Sequence, residues 1–131
     1  MIKVLILDDE KDVRHVLKYR IEKQFDCRID SANNVESGIE LCMRKRYDII
    51  FVDYLYLGNI DGFNFLYDTK RKGEQNAVTV MISGFIRSLD EVKEKGMGIL
   101  PDEFIPKPFP PAAIEGVIQR YFPESRKGRR Q

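Results

Sequence analysis

The sequence has few of the residues from which metal clusters, disulfide frameworks and redox sites are built. Its 131 residues include two cysteines, one histidine and no tryptophan. Cys27 and Cys42 do not have the spacing of a metal-binding pair and lie among apolar residues, so we expect free, buried thiols and no disulfide. His15 has no second histidine to complete a metal site and is expected on the solvent side of a helix.

Long apolar runs and a strong net charge are also missing. No apolar stretch approaches the length of a membrane span, and the short apolar N-terminus reaches acidic residues by Asp8, which does not fit a signal peptide. These absences predict a cytoplasmic protein that makes no membrane contact. The formal net charge is only +1, so the molecule as a whole has no field to attract nucleic acid.

The end of the chain differs in charge from the rest. Four of the last six residues are basic, whereas the remainder of the chain is slightly acidic. We expect residues 1–123 to form one domain and residues 124–131 to be a disordered basic tail or the start of a linker. Such a tail can give weak, salt-sensitive contact with nucleic acid, but specific binding is not expected.

Apolar strand-like runs and helical patterns alternate five times. Ile2–Leu7 and Tyr47–Val52 are typical of central parallel strands that are covered on both faces. Five β-α units predict an α/β fold, a doubly wound three-layer sandwich of a five-stranded parallel sheet between helices. The helical stripes predict that Val16, Met43 and Tyr67 face the core. The other expected elements are strands over 27–32, 77–82 and 102–105 and a charged fourth helix over roughly 87–95.

Acidic, hydroxyl and basic side chains follow the predicted strands. Asp8 and Asp9 end the first strand, Asp53 ends the third, Ser83 ends the fourth, and Lys107 follows the fifth. In an open parallel sheet, ligands bind at the carboxyl ends of the strands, near the point where the strand order changes. The sequence therefore brings these five side chains to one edge of the sheet.

Three carboxylates at one edge repel one another, and a divalent cation removes that conflict. All-oxygen ligands with room for water suit Mg²⁺. A carboxylate beside such an ion can attack a phosphoryl group and form an acyl phosphate. Lys107 can neutralise charge on the transferring oxygens, and Ser83 can donate a hydrogen bond to one of them. The pattern indicates phosphoryl transfer to a carboxylate.

Five segments, in this order, make the chain resemble the receiver domains of response regulators in two-component signalling, the family that includes the chemotaxis regulators. Any one segment is a weak signal, whereas all five at successive strand ends are specific. The resemblance runs from about Ile2 to Phe122 and implies a flavodoxin-like sheet in the order 2-1-3-4-5. The segments are Leu5–Glu10, Asp48–Asp53, Asp61–Gly62, Val80–Gly84 and Phe104–Phe109.

The resemblance implies a phosphoacceptor role for Asp53, with Ser83 and Lys107 in contact with the phosphoryl group. Mg²⁺, for which Mn²⁺ can substitute, would be held by Asp8, Asp9, Asp53 and the backbone carbonyl of Leu55. Ser83 and Phe104 would form a switch pair, in which Phe104 turns inward when Ser83 moves toward the phosphate. The Lys107–Pro108 peptide bond is expected to be cis.

The implied protein is a signalling switch rather than an enzyme, although it assists its own phosphorylation and slow dephosphorylation. A histidine kinase or phosphotransfer protein would donate the phosphoryl group. A downstream protein would bind the surface of the fourth helix, fifth strand and fifth helix (the family's α4-β5-α5 surface), and this surface can also support a phosphorylation-dependent homodimer.

Some positions depart from the family pattern. No proline lies between Asp53 and Asp61, which predicts a less rigid loop around Leu55. Leu55 and Phe85 are apolar at positions that flank the phosphorylation site, and neither can orient an attacking water, so we expect slow loss of the phosphoryl group.

Two alternatives belong to other functional classes. The first is a receiver-like scaffold that acts only by binding proteins, but such proteins usually lack one of the five site residues. The second is a flavodoxin-like binder of a nucleotide or flavin, which needs a first loop that cradles phosphate. The acidic first loop, residues 8–12, would repel phosphate unless a metal were bound.

Overall fold

In a computed structural model, the described residues are 1–54, 61–71, 76–84, 90 and 100–128. The predicted fourth helix, residues 87–95, falls mostly outside them, so the last predicted helix is labelled α4 here. The elements are β1 (Ile2–Leu7), α1 (Lys11–Gln24), β2 (Cys27–Ala32), α2 (Val35–Arg44), β3 (Ile49–Asp53), α3 (Gly62–Arg71), β4 (Val78–Ser83), β5 (Glu103–Pro106), α4 (Pro111–Tyr121) and a 3-10 turn (Pro123–Ser125).

The five strands form one parallel sheet in the order β2-β1-β3-β4-β5, which confirms the predicted topology. β3 is buried along its whole length, and β1 and β4 are buried except at Lys3 and Val78. The edge strand β2 is mixed in character and only partly buried. Central strands need apolar residues on both faces because helices cover both faces.

Two apolar clusters lie on opposite faces of the sheet and confirm the three-layer arrangement. One joins Ile6 and Phe51 of the sheet to Ile21 of α1 and Ile118 of α4. The other joins inward residues of β1 and β3 to α2 and to Phe65 of α3. The sheet therefore holds the carboxyl ends of β1, β3 and β4 in a fixed relation to one another.

The predicted inward faces of the helices were wrong at three positions. The side chains of Val16, Met43 and Tyr67 are 55%, 62% and 39% exposed, whereas Phe65, which we did not predict to be inward, is fully buried. Each helix contacts the sheet along a narrow stripe, so an apolar residue at the margin of a wider helical pattern stays in solvent.

The two thiols and His15 agree with the sequence analysis except in the burial of Cys27. Neither cysteine is in a disulfide; Cys42 is buried, but Cys27 is only half-buried because it begins the edge strand β2. His15 is exposed on α1. Within the described residues, no helix combines the length and apolar character needed to span a membrane.

Residues 124–127, which we expected to belong to a disordered tail, lie in a segment that makes backbone contacts with the rest of the domain. We call Pro123–Lys127 the C-terminal strap, because it returns from α4 to the end of α1. Asp26 N–H donates to the Ser125 carbonyl at 2.7 Å, and Lys127 N–H donates to the Gln24 carbonyl at 2.9 Å. Composition predicted disorder because it counts charges and does not register backbone partners. Residues 129–131 lie outside the described residues.

Candidate functional site

The loop after β1 places two carboxylates at the carboxyl edge of the sheet. Asp8 is 2% exposed, and its N–H donates to the Ala32 carbonyl of β2 at 3.1 Å. Its Oδ1 accepts a hydrogen bond from Glu10 N–H at 2.8 Å, which turns the chain toward α1. Asp9 follows at a half-buried position.

The third carboxylate, that of Asp53, belongs to the last residue of β3. It is 3% exposed and pairs in register with Ile82 of β4. Oxygen atoms of Asp8, Asp9 and Asp53 all lie within 4.8 Å of one another. The sheet order produces this meeting, because β1 and β3 are neighbours and both end at this edge.

The donor set of this carboxylate cluster fits a hard divalent cation. Asp9 Oδ1 is buried and accepts no hydrogen bond within the described part of the chain. Buried carboxylate oxygens are normally paired or bound to a metal. Mg²⁺ takes one or two carboxylates and completes its shell with water and phosphate oxygens, so Asp8, Asp9 and Asp53 are suitable ligands.

Lys107 brings a positive charge to the same place. Its Nζ lies 3.0 Å from Asp53 Oδ1, and its side chain is 30% exposed against 3% for that of Asp53. The contact is an ion pair by distance. Lys107 N–H donates to the Ser83 carbonyl at 2.8 Å, which ties the end of β4 to the turn after β5. The Lys107–Pro108 peptide bond is cis, the configuration expected from the sequence.

The electrostatics of the carboxylate cluster favour binding of a cation. Burial, together with the charges of Asp53 and Asp9, raises the pKa of Asp8 to about 7, against the lowering effects of Glu10 N–H and Lys107. Burial also raises the pKa of Asp53, although the Lys107 ammonium opposes this rise. The raised pKa values mean that ionising these buried carboxylates is costly. A bound cation offsets that cost by stabilising the ionised forms.

The predicted switch residues lie on the neighbouring strands β4 and β5, two register positions apart. Ser83 ends β4 with its side chain fully buried, and Phe104 of β5 pairs in register with Met81 of β4. The half-buried ring of Phe104 packs against a small apolar group that contains Leu66 and Met81. Of the other predicted residues, Leu55 and Phe85 lie outside the described residues.

One residue at the site was missed by the sequence analysis. Arg14, in the first turns of α1, donates from Nη1 to the carbonyl oxygen of Asp8 at 2.8 Å. In the sequence it appears as an ordinary helical arginine. The available signal was its position six residues after Asp8, where a long side chain can reach back over the helix start to the preceding strand end.

Comparison with known proteins gives the family of the chain. The family model of the response regulator receiver domain matches residues 4–119. The sensory transduction protein LytT of Bacillus cereus is 30% identical over 122 residues, 92% of this chain and 47% of that protein. The transcriptional regulatory protein SrrA of Staphylococcus aureus is 30% identical over 112 residues, 86% of this chain and 44% of that protein. The chain thus spans about half the length of the curated relatives it matches.

Solved structures show the same fold. The receiver domain of a Francisella response regulator has a TM-score of 0.78 at 22% identity, with 95% of this chain and 98% of that chain covered. The chemotaxis protein CheY4 of Vibrio cholerae has a TM-score of 0.77 at 20% identity, with coverage of 93% and 99%. With the family model matched over most of its length, the chain belongs to the response regulator receiver domain family of two-component signalling.

Proposed function

We propose that this receiver accepts a phosphoryl group on Asp53 from a histidine kinase or phosphotransfer protein, with Mg²⁺ bound at the carboxylate cluster. The observation that carries the proposal is the meeting of three carboxylates within 4.8 Å at the sheet edge, with Lys107 3.0 Å from Asp53. A structural ion pair needs one carboxylate, whereas three carboxylates and one lysine leave two negative charges to be offset.

The proposed metal ligands are Asp8, Asp9, Asp53 and the backbone carbonyl of Leu55. Asp8, Asp9 and Asp53 form the carboxylate cluster, and Leu55 is proposed from the family pattern alone. When bound, Mg²⁺ neutralises charge on the carboxylates and on the oxygens of the incoming phosphoryl group. Mn²⁺ has similar oxygen preferences and is proposed as a substitute.

The residues of this chain supply the rest of the chemistry. An oxygen of the ionised Asp53 carboxylate attacks phosphorus, the bond from phosphorus to the donor atom breaks, and the electron pair leaves with the donor. Lys107 remains beside the new acyl phosphate and neutralises part of its charge, and Ser83 donates a hydrogen bond to a phosphoryl oxygen. Burial of Asp53 shields the product from bulk water.

The proposed output is a change in the surface formed by the helix predicted at residues 87–95, by β5, and by α4, the helix that follows β5. Phe104 is half-buried beside Leu66 and Met81, so a movement of Ser83 toward the phosphoryl group would open space into which this ring can turn. A downstream protein is proposed to bind this surface. Homodimerisation on phosphorylation and a cytoplasmic location stay predictions.

The test is intact mass after incubation with acetyl phosphate, with and without Mg²⁺, for the wild type and for Asp53→Asn. We expect one added phosphoryl group that requires Mg²⁺ and is absent from the variant. A folded protein that binds no Mg²⁺ and gains no mass would reject the proposal and favour the scaffold alternative. Asp30→Asn is the matched control, because Asp30 is an acid on β2 away from the carboxylate cluster, and it should be phosphorylated normally.

The lifetime of the phosphorylated form gives a second prediction, which rests on the sequence at Leu55 and Phe85. Replacing Phe85 with Glu and Leu55 with Asn supplies groups that can orient an attacking water. We expect dephosphorylation to become about tenfold faster or more, since positioned polar groups contribute at least this much to proton transfer. The decay of the phosphorylated mass after removal of acetyl phosphate measures the rate. An unchanged decay would contradict the prediction, and Phe85→Leu is the matched apolar control.

A further inference from the structure

Arg14 connects the start of α1 to the acidic loop. Its Nη1 lies 2.8 Å from the carbonyl oxygen of Asp8, and the contact is partly buried. A hydrogen bond from a guanidinium is charge-assisted and stronger than one between neutral groups. The backbone carbonyl of Asp8 is therefore held by a side chain that is itself fixed on a helix.

The loop has few other constraints. Two further bonds hold Asp8, from its N–H to the Ala32 carbonyl at 3.1 Å and from Glu10 N–H to its Oδ1 at 2.8 Å. The residue that caps α1, Glu10, makes no capping hydrogen bond with its side chain. The bond from Arg14 therefore links this loop to α1 at a helix start that has no side-chain cap.

The carbonyl that Arg14 holds belongs to the peptide unit between Asp8 and Asp9. A peptide unit is planar, so fixing its oxygen also fixes the direction in which the backbone enters Asp9. Asp9 Oδ1 is buried and accepts no hydrogen bond from the described residues, so no such bond orients this oxygen toward Asp53. Its placement depends on the backbone that carries it.

We propose that Arg14 is a positioning residue for the metal site, which holds the Asp8–Asp9 peptide so that Asp9 faces Asp53. This inference rests on the proposed function, since it assigns a residue to the proposed Mg²⁺ site. It adds Arg14 to the acids, Ser83 and Lys107 as part of the working site.

The charge of Arg14 acts in the opposite direction to its hydrogen bond. A cation near the site repels Mg²⁺, so loss of charge alone would strengthen metal binding. Loss of an outer-shell hydrogen bond to the metal loop weakens binding, typically by 10- to 100-fold. The positioning role therefore predicts that Arg14→Ala weakens binding by about tenfold, whereas a purely electrostatic role predicts tighter binding.

The experiment measures Mn²⁺ binding by electron paramagnetic resonance, with Mg²⁺ as competitor, at pH 8. Arg14→Ala is expected to weaken the binding of both ions by about tenfold. Arg14→Lys, which retains a donor and the charge, should recover part of the lost affinity. Lys11→Ala is the matched control. Lys11 is exposed at the first position of α1 and carries the same charge, so its replacement should leave binding unchanged or slightly tighter.

Phosphorylation by acetyl phosphate gives a second readout that a general loss of stability would not reproduce. The Mg²⁺ concentration for half-maximal rate should rise about tenfold in Arg14→Ala, while the rate at saturating Mg²⁺ stays near that of the wild type. Circular dichroism checks the fold, and Arg14→Met, which keeps the apolar stem, takes the place of Arg14→Ala if that variant does not fold.

The outcomes separate the inference from the proposed function. Wild-type protein that binds neither ion would overturn both. Wild-type binding together with unchanged or tighter binding in Arg14→Ala and Arg14→Met would overturn the role of Arg14 alone. An equal loss of affinity in Lys11→Ala would also overturn it, because the loss would then not be specific to the residue that holds the Asp8 carbonyl.

Discussion

Replacing Asp8 with Asn is expected to raise the melting temperature of the metal-free domain at pH 8 by about 10 °C. Burial raises the pKa of Asp8 from 3.8 to about 7, so ionisation of this group in the folded state costs up to about 4 kcal/mol. Asparagine removes that cost. It also keeps an oxygen that can accept the hydrogen bond that Glu10 N–H donates at 2.8 Å.

The pH dependence follows from the direction of this shift. The pKa of Asp8 is higher in the folded state than in the unfolded state, so the folded protein binds the proton more tightly. The destabilisation by Asp8 is complete above about pH 7 and declines as the pH falls toward 4. Urea unfolding between pH 5 and pH 8 should show the wild type losing stability as pH rises, and Asp8→Asn should show a flatter dependence.

Excess Mg²⁺ should stabilise the two proteins to different extents at pH 8. It should raise the melting temperature of the wild type by mass action and that of Asp8→Asn far less, because a proposed ligand is lost. Asp12→Asn is the matched control, since Asp12 is an exposed acid in the first turn of α1. This variant should have an unchanged or slightly lower melting temperature. A lower melting temperature for metal-free Asp8→Asn would contradict the prediction.

The sheet and its acidic edge were predictable because each depends on a short stretch of sequence. The run Ile2–Leu7 is apolar on both faces, and the structure forms β1 over the same residues. Asp53 follows such a run, and the parallel order of strands places it beside Asp8 without information from the helices. Strand identity and strand order together locate these carboxylates.

The helix faces and the loop contacts were less accessible from the sequence. Whether Val16 or Leu17 faces the sheet depends on a rotation of α1 that a run of apolar residues leaves undetermined, and only Leu17 is buried. The bond from Arg14 to Asp8 depends on the turn at Glu10, which is held by a hydrogen bond from Glu10 N–H to the side chain of Asp8, and on the rotamer of a long side chain. Long side chains that reach backbone groups leave little trace in composition.

Removal of residues 123–131 is expected to lower the melting temperature by about 10 °C, because the C-terminal strap completes the end of α1. The strap caps α1 through Lys127, whose Nζ donates to the Glu22 carbonyl at 2.6 Å and whose N–H donates to the Gln24 carbonyl at 2.9 Å. Arg126 lies 5.6 Å from the centre of the Phe25 ring, which is fully buried. The deletion removes the backbone hydrogen bonds of the strap, at about 1 kcal/mol each, and partly exposes the Phe25 ring. Together these losses lower the free energy of unfolding by about 3 kcal/mol.

The control deletes only residues 129–131, which removes two of the basic residues and keeps the strap contacts described above. Its melting temperature should match that of the wild type, since the stabilisation comes from hydrogen bonds and burial of Phe25 rather than from positive charge. Lys127→Met removes only the hydrogen bond from Lys127 Nζ to the Glu22 carbonyl and should lower the free energy of unfolding by about 1 kcal/mol. Equal stability of the long and short deletions would show that the folded domain ends at Phe122; a large difference would extend it through Lys127 and make the strap part of the receiver.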